Sequence, residues 1–173
     1  QRPDGAESER NTAGQEIPWD LKRIWALEPG AAAQPGRLWC GTLPGGLFAS
    51  DDRGATWRLV ESLWRHPDRL KWGGGGADHP GIHSICIDPR DPRTVRIGIS
   101  TGGVWRTDDD GATWRNTSAG MHADYMPPEL REDPNAQDVH RLVQCRTQPD
   151  RLWVQHHNGV FRSSDGGECW RHC

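Results

Sequence analysis

Short apolar runs separated by polar turns recur along the chain from residue 20 onward. The runs are about five residues long, as at residues 24–27, 82–87 and 95–99. Turns rich in glycine, proline and aspartate separate them, and none of the repeated segments keeps a helical period over ten residues. Runs of this length between such turns are typical of β-strands. The pattern therefore predicts an all-β chain of short antiparallel strands.

One twelve-residue segment, which runs from a glycine to a tryptophan, occurs three times in the chain. Its last residues, Trp57, Trp114 and Trp170, lie 57 and then 56 residues apart. Two apolar runs with a proline-containing turn between them precede each copy. Each repeat unit thus predicts one four-stranded antiparallel sheet. Because a single sheet of this kind cannot bury both of its faces, the copies are expected to pack face to face as β-propeller blades.

The repeat also predicts how the chain is divided. The expected organisation is a polar arm or the end of a preceding blade at 1–18, blade 1 at 19–60, a loop at 61–80, blade 2 at 81–117, a loop at 118–137 and blade 3 at 138–173. Propellers normally have about four to eight blades. Three blades are therefore expected to be part of a six- to eight-bladed propeller, or to be closed into a ring by the association of two copies.

Within the repeated segment, the residues follow the spacing Ser/Thr-x-Asp-x-Gly-x-Thr-Trp, and Cys169 replaces the threonine in the third copy. A hairpin turn explains this set, since the carboxylate can accept backbone N–H groups, the glycine can adopt positive φ and the indole can pack over the turn. The predicted structural residues are Ser50, Asp52, Gly54, Trp57, Thr107, Asp109, Gly111, Trp114, Ser163, Asp165, Gly167 and Trp170.

These three copies resemble the Asp-box, or bacterial neuraminidase, repeat. That family includes sialidase-like propellers, sortilin-type receptors, xyloglucanases and many bacterial proteins of unassigned activity. The resemblance implies a propeller fold in which the box is a folding element on the face opposite the active site. It also implies glycoside-hydrolase-like relatives, without itself identifying an enzyme.

The opposite face is where a site is expected, because the two long loops and the starts of the inner strands lie there. Aligning the repeat units places Arg23, His83 and His140 at equivalent positions beside the propeller axis. They are either an ordinary solvated channel lining or a clamp for an anion or carboxylate, since arginine donates two hydrogen bonds and histidine can carry charge near neutral pH.

The long loops add three aromatic candidates. Trp64 and Trp72 either plug the first loop onto the body of the protein or offer a flat platform to a sugar ring, and burial is favoured because exposed indoles are costly. Tyr125 lies in the second loop. Because sialidase-type enzymes use a tyrosine nucleophile, the resemblance makes Tyr125 the candidate for that role, although no arginine triad is found to accompany it.

Composition excludes several classes of function. The chain has 21 basic and 24 acidic residues, which argues against a nucleic-acid partner, and no apolar stretch long enough to span a membrane. Several histidines are expected on the loop side of the blades and could together hold a metal, namely His79, His83, His140, His156 and His157. No HxH or HExxH spacing supports such a site, so scattered surface histidines are favoured and neither a metal nor a cofactor is predicted. Five cysteines without a CxxC pair slightly favour a reducing, cytoplasmic compartment. The first residue is Gln1 and no leader follows it, which leaves open a removed leader or an internal piece of a longer product.

Two functions remain open on these grounds. The first is hydrolysis of a glycan at the funnel face by a sialidase-like or other glycoside-hydrolase-like propeller, with carbohydrate as the expected partner. The second is a non-catalytic propeller that binds glycan or protein or serves assembly. The sequence assigns no catalytic residue.

Overall fold

The structure, a computed structural model, describes residues 9–173 and consists of three four-stranded antiparallel sheets. Residues 1–8 of the predicted arm lie outside the described residues. In each sheet every strand is hydrogen-bonded to the next one along the chain. The strands are β1 (Arg23–Pro29), β2 (Leu38–Leu43), β3 (Leu47–Ser50) and β4 (Arg58–Leu59) in blade 1, β5 (Ile82–Ile87), β6 (Val95–Ile99), β7 (Gly103–Thr107) and β8 (Arg115–Asn116) in blade 2, and β9 (Val139–Gln144), β10 (Leu152–His156), β11 (Gly159–Ser163) and β12 (Arg171–His172) in blade 3.

The three sheets pack face to face with their first strands, β1, β5 and β9, side by side. One apolar core lies between blades 1 and 2 and includes Trp39, Trp72 and Trp105. A second core lies between blades 2 and 3 and includes Leu142 and Phe161. This arrangement confirms the predicted all-β fold and partial propeller.

Burial along the strands follows from the number of neighbours that each blade has. Every residue of β6 is buried, because blade 2 is covered on both faces. Burial alternates along β10, because only one face of blade 3 is covered. Within residues 9–173, large exposed apolar side chains occur in the strands of the two outer blades and not in those of blade 2, as shown by Leu27, Val143 and Trp153.

Each repeated turn is held by its own side chains. In the first copy the Ser50 hydroxyl donates to Asp52 Oδ1 (2.8 Å) and accepts from the Gly54 N–H (2.8 Å). The same carboxylate oxygen accepts the Thr56 N–H (2.8 Å). Arg53 and Gly54 have φ of 62° and 88°, in the left-handed region where glycine is favoured. The other two turns repeat the hydroxyl–carboxylate bond, the bond to the glycine N–H and the two positive φ angles.

The third turn lacks one hydrogen bond that the other two have. In the first turn the Thr56 hydroxyl also donates to Asp52 Oδ2 (2.6 Å). The hydrogen bonds from Thr56, followed by the one from Ser50, lower the pKa of Asp52 to about 2. Cys169 offers Asp165 only its backbone N–H, at 3.1 Å. The pKa of Asp165 is also lowered, chiefly by the Ser163 hydroxyl. Cysteine therefore leaves this carboxylate without the second hydroxyl donor.

The first long loop, residues 61–80, contains a helical turn, α1 (Glu61–Trp64), and a 3₁₀ turn (Pro67–Lys71). Trp72 is 1% exposed and packs edge-on against Trp105, with 5.4 Å between ring centroids. Trp64 is also buried, between the Trp19 ring and the Arg69 guanidinium. Trp72 thus plugs the loop onto the core between blades 1 and 2, and Trp64 packs it against the segment before β1, because burial removes their large apolar area from water. The alternative of a sugar platform is wrong for these two residues.

The second long loop, residues 118–137, contains a 3₁₀ turn (Pro128–Leu130). Gln137 at its end is fully buried and donates its side-chain amide to the carbonyls of Arg131 and Asp133. These bonds fold the loop back on itself. Across residues 9–173, no helix has the length and apolar character needed to cross a membrane.

Replacing Cys169 by threonine should stabilise the third turn, because the new hydroxyl can donate to Asp165 as Thr56 donates to Asp52. We expect Cys169→Thr to raise the free energy of unfolding by about 0.5–1 kcal/mol, measured by urea denaturation. Cys173→Thr, a change at an exposed cysteine outside the turn, is the control and should be neutral. Equal effects of the two substitutions would contradict this account of the turn.

Candidate functional site

Both long loops lie on the face of the blades opposite the repeated turns, which we call the loop face. It comprises residues 61–80 and 118–137, the turns after β6 and β10 and the beginnings of β1, β5 and β9. The Gly73 N–H donates to the Thr101 carbonyl (2.7 Å), which ties the first loop to blade 2. The Tyr125 ring packs against the His157 ring, with centroids 4.6 Å apart, which ties the second loop to blade 3.

Arg23 and His140, two of the three predicted axial residues, are exposed on this face. The Arg23 guanidinium lies 5.7 Å from the centre of the Trp25 ring, a distance that suits a cation–π contact. His140 Nε2 lies 3.5 Å from Asp138 Oδ2. These two residues remain available to a ligand.

His83, the third axial residue, is buried and does not fit the predicted cationic clamp. It is 5% exposed, and its Nε2 and Nδ1 lie 2.8 Å from the Val139 carbonyl and 2.8 Å from the Ser84 hydroxyl. Burial lowers the pKa of His83 to about 4, so its ring is neutral at neutral pH. The reason is its place in the central blade, where neighbours cover both faces. The expectation of a clamp with three cations is therefore wrong at this position.

Tyr125 is 42% exposed, but its hydroxyl is held by the backbone. It donates to the Ala136 carbonyl (3.1 Å) and accepts the Asp138 N–H (3.1 Å). Burial, followed by the Asp138 charge, raises the pKa of Tyr125 to about 12. A nucleophilic phenolate is disfavoured in such surroundings. The geometry instead makes Tyr125 a residue that fixes the backbone at Asp138.

The sequence placed His140 and His157 on one face but did not indicate that Asp138 lies between them. Asp138 Oδ2 is 3.5 Å from His140 Nε2 and 3.5 Å from His157 Nδ1. The pairing of β9 with β10 explains this, since Val139 is opposite His156 and a bulge follows Gln155. The signal in the sequence is the hairpin of β9 and β10, which places the start of β9 beside the end of β10. Alignment of the three repeats compares only equivalent positions and does not show this neighbour.

A groove of about 530 Å³ runs along the three inner strands. Charged and polar side chains contribute to its lining, among them Glu28, His83, Arg141, Gln144 and Arg146. Cys86 also lines it, but burial raises the pKa of its thiol to about 11, so the reactive thiolate is disfavoured. Apolar side chains such as Ile85, Leu142 and Val143 line it as well, and most of the lining lies toward the ends of β1, β5 and β9, away from the loop face.

Comparison with curated proteins finds xyloglucanases. The chain is 35% identical over 78 residues to an oligoxyloglucan-reducing end-specific xyloglucanase of Emericella nidulans, which covers 44% of this chain and 8% of that protein. It is 27% identical over 143 residues to xyloglucanase Xgh74A of Acetivibrio thermocellus, which covers 73% of this chain and 16% of that protein. The chain thus spans about a sixth or less of the length of these relatives. No family model matches it.

Solved structures show the same fold. The GH74 xyloglucanase from Xanthomonas campestris superposes with a TM-score of 0.56 and 20% identity, over 89% of this chain and 24% of that one. YCF48 from Cyanidioschyzon merolae gives a TM-score of 0.56 and 14% identity, over 90% of this chain and 41% of that one. These likenesses confirm the partial β-propeller. With the curated relatives, a glycoside-hydrolase-like propeller is supported, while the Asp-box and sialidase-like assignment stays a prediction.

Acid should destabilise the protein through its buried histidines. Burial lowers the pKa of both His83 and His156 to about 4, whereas an unfolded histidine titrates near about 6.5. Between pH of about 6.5 and about 4, these histidines are protonated in the unfolded chain but neutral in the folded one. The free energy of unfolding therefore falls as the pH drops through this range. For His83 the loss is on the order of 3 kcal/mol.

Urea denaturation at several pH values should show this loss, and His83→Gln should flatten the dependence. Imidazole NMR resonances give the direct readout. A His83 ring that titrated with an ordinary histidine pKa would contradict the buried, neutral state described here.

Proposed function

We propose that this chain supplies a glycan-binding surface to a β-propeller that hydrolyses polysaccharides of the xyloglucan class. Two of the curated relatives are named as xyloglucanases and cover 44% and 73% of this chain. Hydrolysis is proposed for the whole protein, since the chain spans only a small part of those relatives. Binding is proposed for the loop face of the described blades.

The observation that carries the proposal is the position of Trp25. This indole is 38% exposed and lies in the first half of an inner strand. Its ring rests against the backbone of Gly81, where any side chain would overlap it, and lies 5.7 Å from the His83 ring. A flat indole fixed at such a place offers an apolar face on which a sugar ring can stack.

The surface continues from Trp25 toward blade 3. The His83 ring bridges the Trp25 ring and the Val139 carbonyl, so blade 1 is connected to the segment that bears Asp138 and His140. Indole, imidazole and carboxylate groups thus border one stretch of the loop face. An extended surface with an aromatic platform and several polar groups suits a carbohydrate chain better than a small compact ligand.

Hydrolysis of a glycosidic bond normally requires two carboxyl groups, one as acid and one as base or nucleophile. Asp138 is the candidate for one of them, because its side chain is only 12% exposed and lies on the loop face. The second candidate function is a non-catalytic propeller that binds glycan or protein. It would use the same surface without turnover.

Trp25→Ala should weaken the binding of xyloglucan oligosaccharides about tenfold or more, because the stacking surface is removed. Isothermal titration calorimetry on the whole chain measures the effect. Trp57→Ala is the matched control, since Trp57 is similarly exposed, at 41%, but lies in a repeated turn on the opposite face. A wild-type chain that binds no oligosaccharide, or equal losses in the two variants, would contradict the proposal.

A reducing-sugar assay on the longest gene product that contains this chain distinguishes the two functions. Release of sugar by the wild type, lost in Asp138→Asn with binding retained, is the result expected for the hydrolase. Binding without any turnover would favour the non-catalytic alternative.

A further inference from the structure

We infer that Asp138, His140 and His157 form a zinc-binding site on the loop face. One carboxylate oxygen and two imidazole nitrogens converge there, and all three lie within 4.8 Å of one another. Two nitrogens and one oxygen form a donor set that zinc prefers, whereas calcium and magnesium prefer oxygen ligands alone. This inference shares Asp138 with the proposed hydrolase, and a carboxylate bound to zinc would not also act as a free catalytic acid or base. Zinc binding is therefore tested without any glycan, and its outcome does not depend on the proposed function.

The spacing of the donor atoms matches a metal better than a hydrogen bond. Both imidazole nitrogens lie 3.5 Å from Asp138 Oδ2. Ligand atoms of a tetrahedral zinc site with bonds of about 2.0–2.1 Å are about 3.3–3.4 Å apart. A hydrogen bond from an imidazole to a carboxylate would instead measure about 2.7–3.2 Å. Two of the three donor distances are therefore close to those of a zinc site, and the two imidazole nitrogens lie within 4.8 Å of each other.

The Asp138 carboxylate also lacks another partner. Its side chain is 12% exposed, yet within residues 9–173 it accepts no hydrogen bond and forms no ion pair with lysine or arginine. A carboxylate that is largely withdrawn from water without compensation is costly. The two histidines face this carboxylate, and their nitrogens can bind a cation together with it. A zinc ion would satisfy the charge.

The surrounding contacts hold the ligands in place before any ion binds. The His157 N–H donates to the Asp138 carbonyl (3.0 Å), and the Asp138 N–H donates to the Tyr125 hydroxyl (3.1 Å). The Tyr125 ring packs edge-on against the His157 imidazole. Such supporting contacts orient metal ligands and raise affinity. They also give Tyr125 a positioning role that the sequence did not suggest.

Gly75 of the first loop leaves room beside the carboxylate. A side chain at this position would place its Cβ 3.2 Å from Asp138 Oδ1 and 3.3 Å from Thr101 Oγ1. Because Gly75 also has a φ of 60°, glycine suits both its conformation and its surroundings. Three protein ligands leave the fourth position of a tetrahedral zinc ion to water or to a ligand oxygen.

Zinc binding is tested on the whole chain without a histidine tag, by calorimetry and by competition with a chromogenic chelator. The wild type should bind one zinc ion with micromolar or tighter affinity, and His157→Ala should weaken binding at least about tenfold through the loss of one ligand. His157 and His140 are exposed, so replacing either of them leaves the fold intact, which circular dichroism checks. Cobalt provides a second readout, since a tetrahedral site gives visible absorption bands, which His157→Ala and His140→Ala should each lose.

His122→Ala is the matched control. His122 Nε2 lies 3.6 Å from Asp124 Oδ2, so this pair resembles the proposed site, but residues 9–173 supply no third ligand beside it. The control should bind zinc as the wild type does. Failure of the wild type to bind at high micromolar zinc, or an equal loss in His122→Ala, would overturn the site.

A second inference concerns the outward face of blade 3 and rests on the contacts between blades 2 and 3. In blade 2, a row of three arginines, Arg96, Arg106 and Arg115, donates hydrogen bonds to the repeated turn of blade 3. Arg96 Nε donates to the Gly166 carbonyl (2.8 Å), and Arg106 and Arg115 each donate to the Glu168 carboxylate (2.9 Å). Strand register places these three arginines side by side across the sheet. The row and the turn thus form one joint between blades.

Blade 3 has an equivalent row, with a tryptophan in place of the first arginine, and no other part of residues 9–173 covers it. Strand register aligns Trp153, Arg162 and Arg171 as it aligns the arginines of blade 2. Trp153 is 36% exposed, whereas its counterpart in blade 1, Trp39, is fully buried in the core between blades. The other two members of the blade 3 row are exposed as well. We propose that this row docks a further blade whose repeated turn bears an acidic residue at the position of Glu168.

Charge argues against a second copy of this chain as the occupant. The repeated turn of blade 1 has Arg53 and Ala55 where blade 3 has Gly166 and Glu168. A head-to-tail copy would bring Arg53 toward Arg162 and Arg171, where like charges repel. The occupant is therefore a blade with a different turn, and a six-bladed ring of two identical copies is disfavoured.

Analytical ultracentrifugation tests this joint. The wild-type chain should sediment as a monomer. A variant with Arg53→Gly and Ala55→Glu, which gives blade 1 the turn of blade 3, should self-associate, and further Arg162→Ala and Arg171→Ala substitutions should abolish that association. Association of the wild type, or a variant turn that leaves the chain monomeric, would overturn the proposed joint.

Discussion

The face that one blade turns toward the next is covered by a contact between a row of side chains on its sheet and the repeated turn of that next blade. Trp39 is fully buried between blades 1 and 2, and Arg96 is 1% exposed between blades 2 and 3. The turn can serve as a rigid counterpart because its own hydroxyl and carboxylate hold its backbone. A sheet of four short strands has too little apolar area to be stable without such packing.

Packing of the blades in turn positions the loop face. The inner strands lie side by side only because the sheets are stacked, and this brings the starts of β1, β5 and β9 together. Burial of Trp72 and Gln137 anchors the two loops that lie over those starts. The exposed groups of the loop face, Trp25 and His140 among them, therefore project from strands whose positions are fixed by packing. Preorganisation of this kind favours binding.

The sequence revealed the fold more fully than the site, for physical reasons. Strands and turns depend on local patterns, so the spacing of Trp57, Trp114 and Trp170 was enough to predict the stacked blades. The site depends on which side chains are buried, and that is decided by neighbours far along the chain. His83 looked like a free cation beside the axis but is covered by blade 3, and Asp138 and His157 meet through a strand bulge that no motif records. Trp64 and Trp72 became core residues for the same reason.

We propose that ligands bind the loop face and not the face of the repeated turns. A crystal structure of the chain soaked with a xyloglucan oligosaccharide tests it most directly. We expect sugar rings that lie over Trp25 and extend toward Asp138 and His140. Sugar bound only at the repeated turns, or a loop face left empty at saturating oligosaccharide, would contradict it.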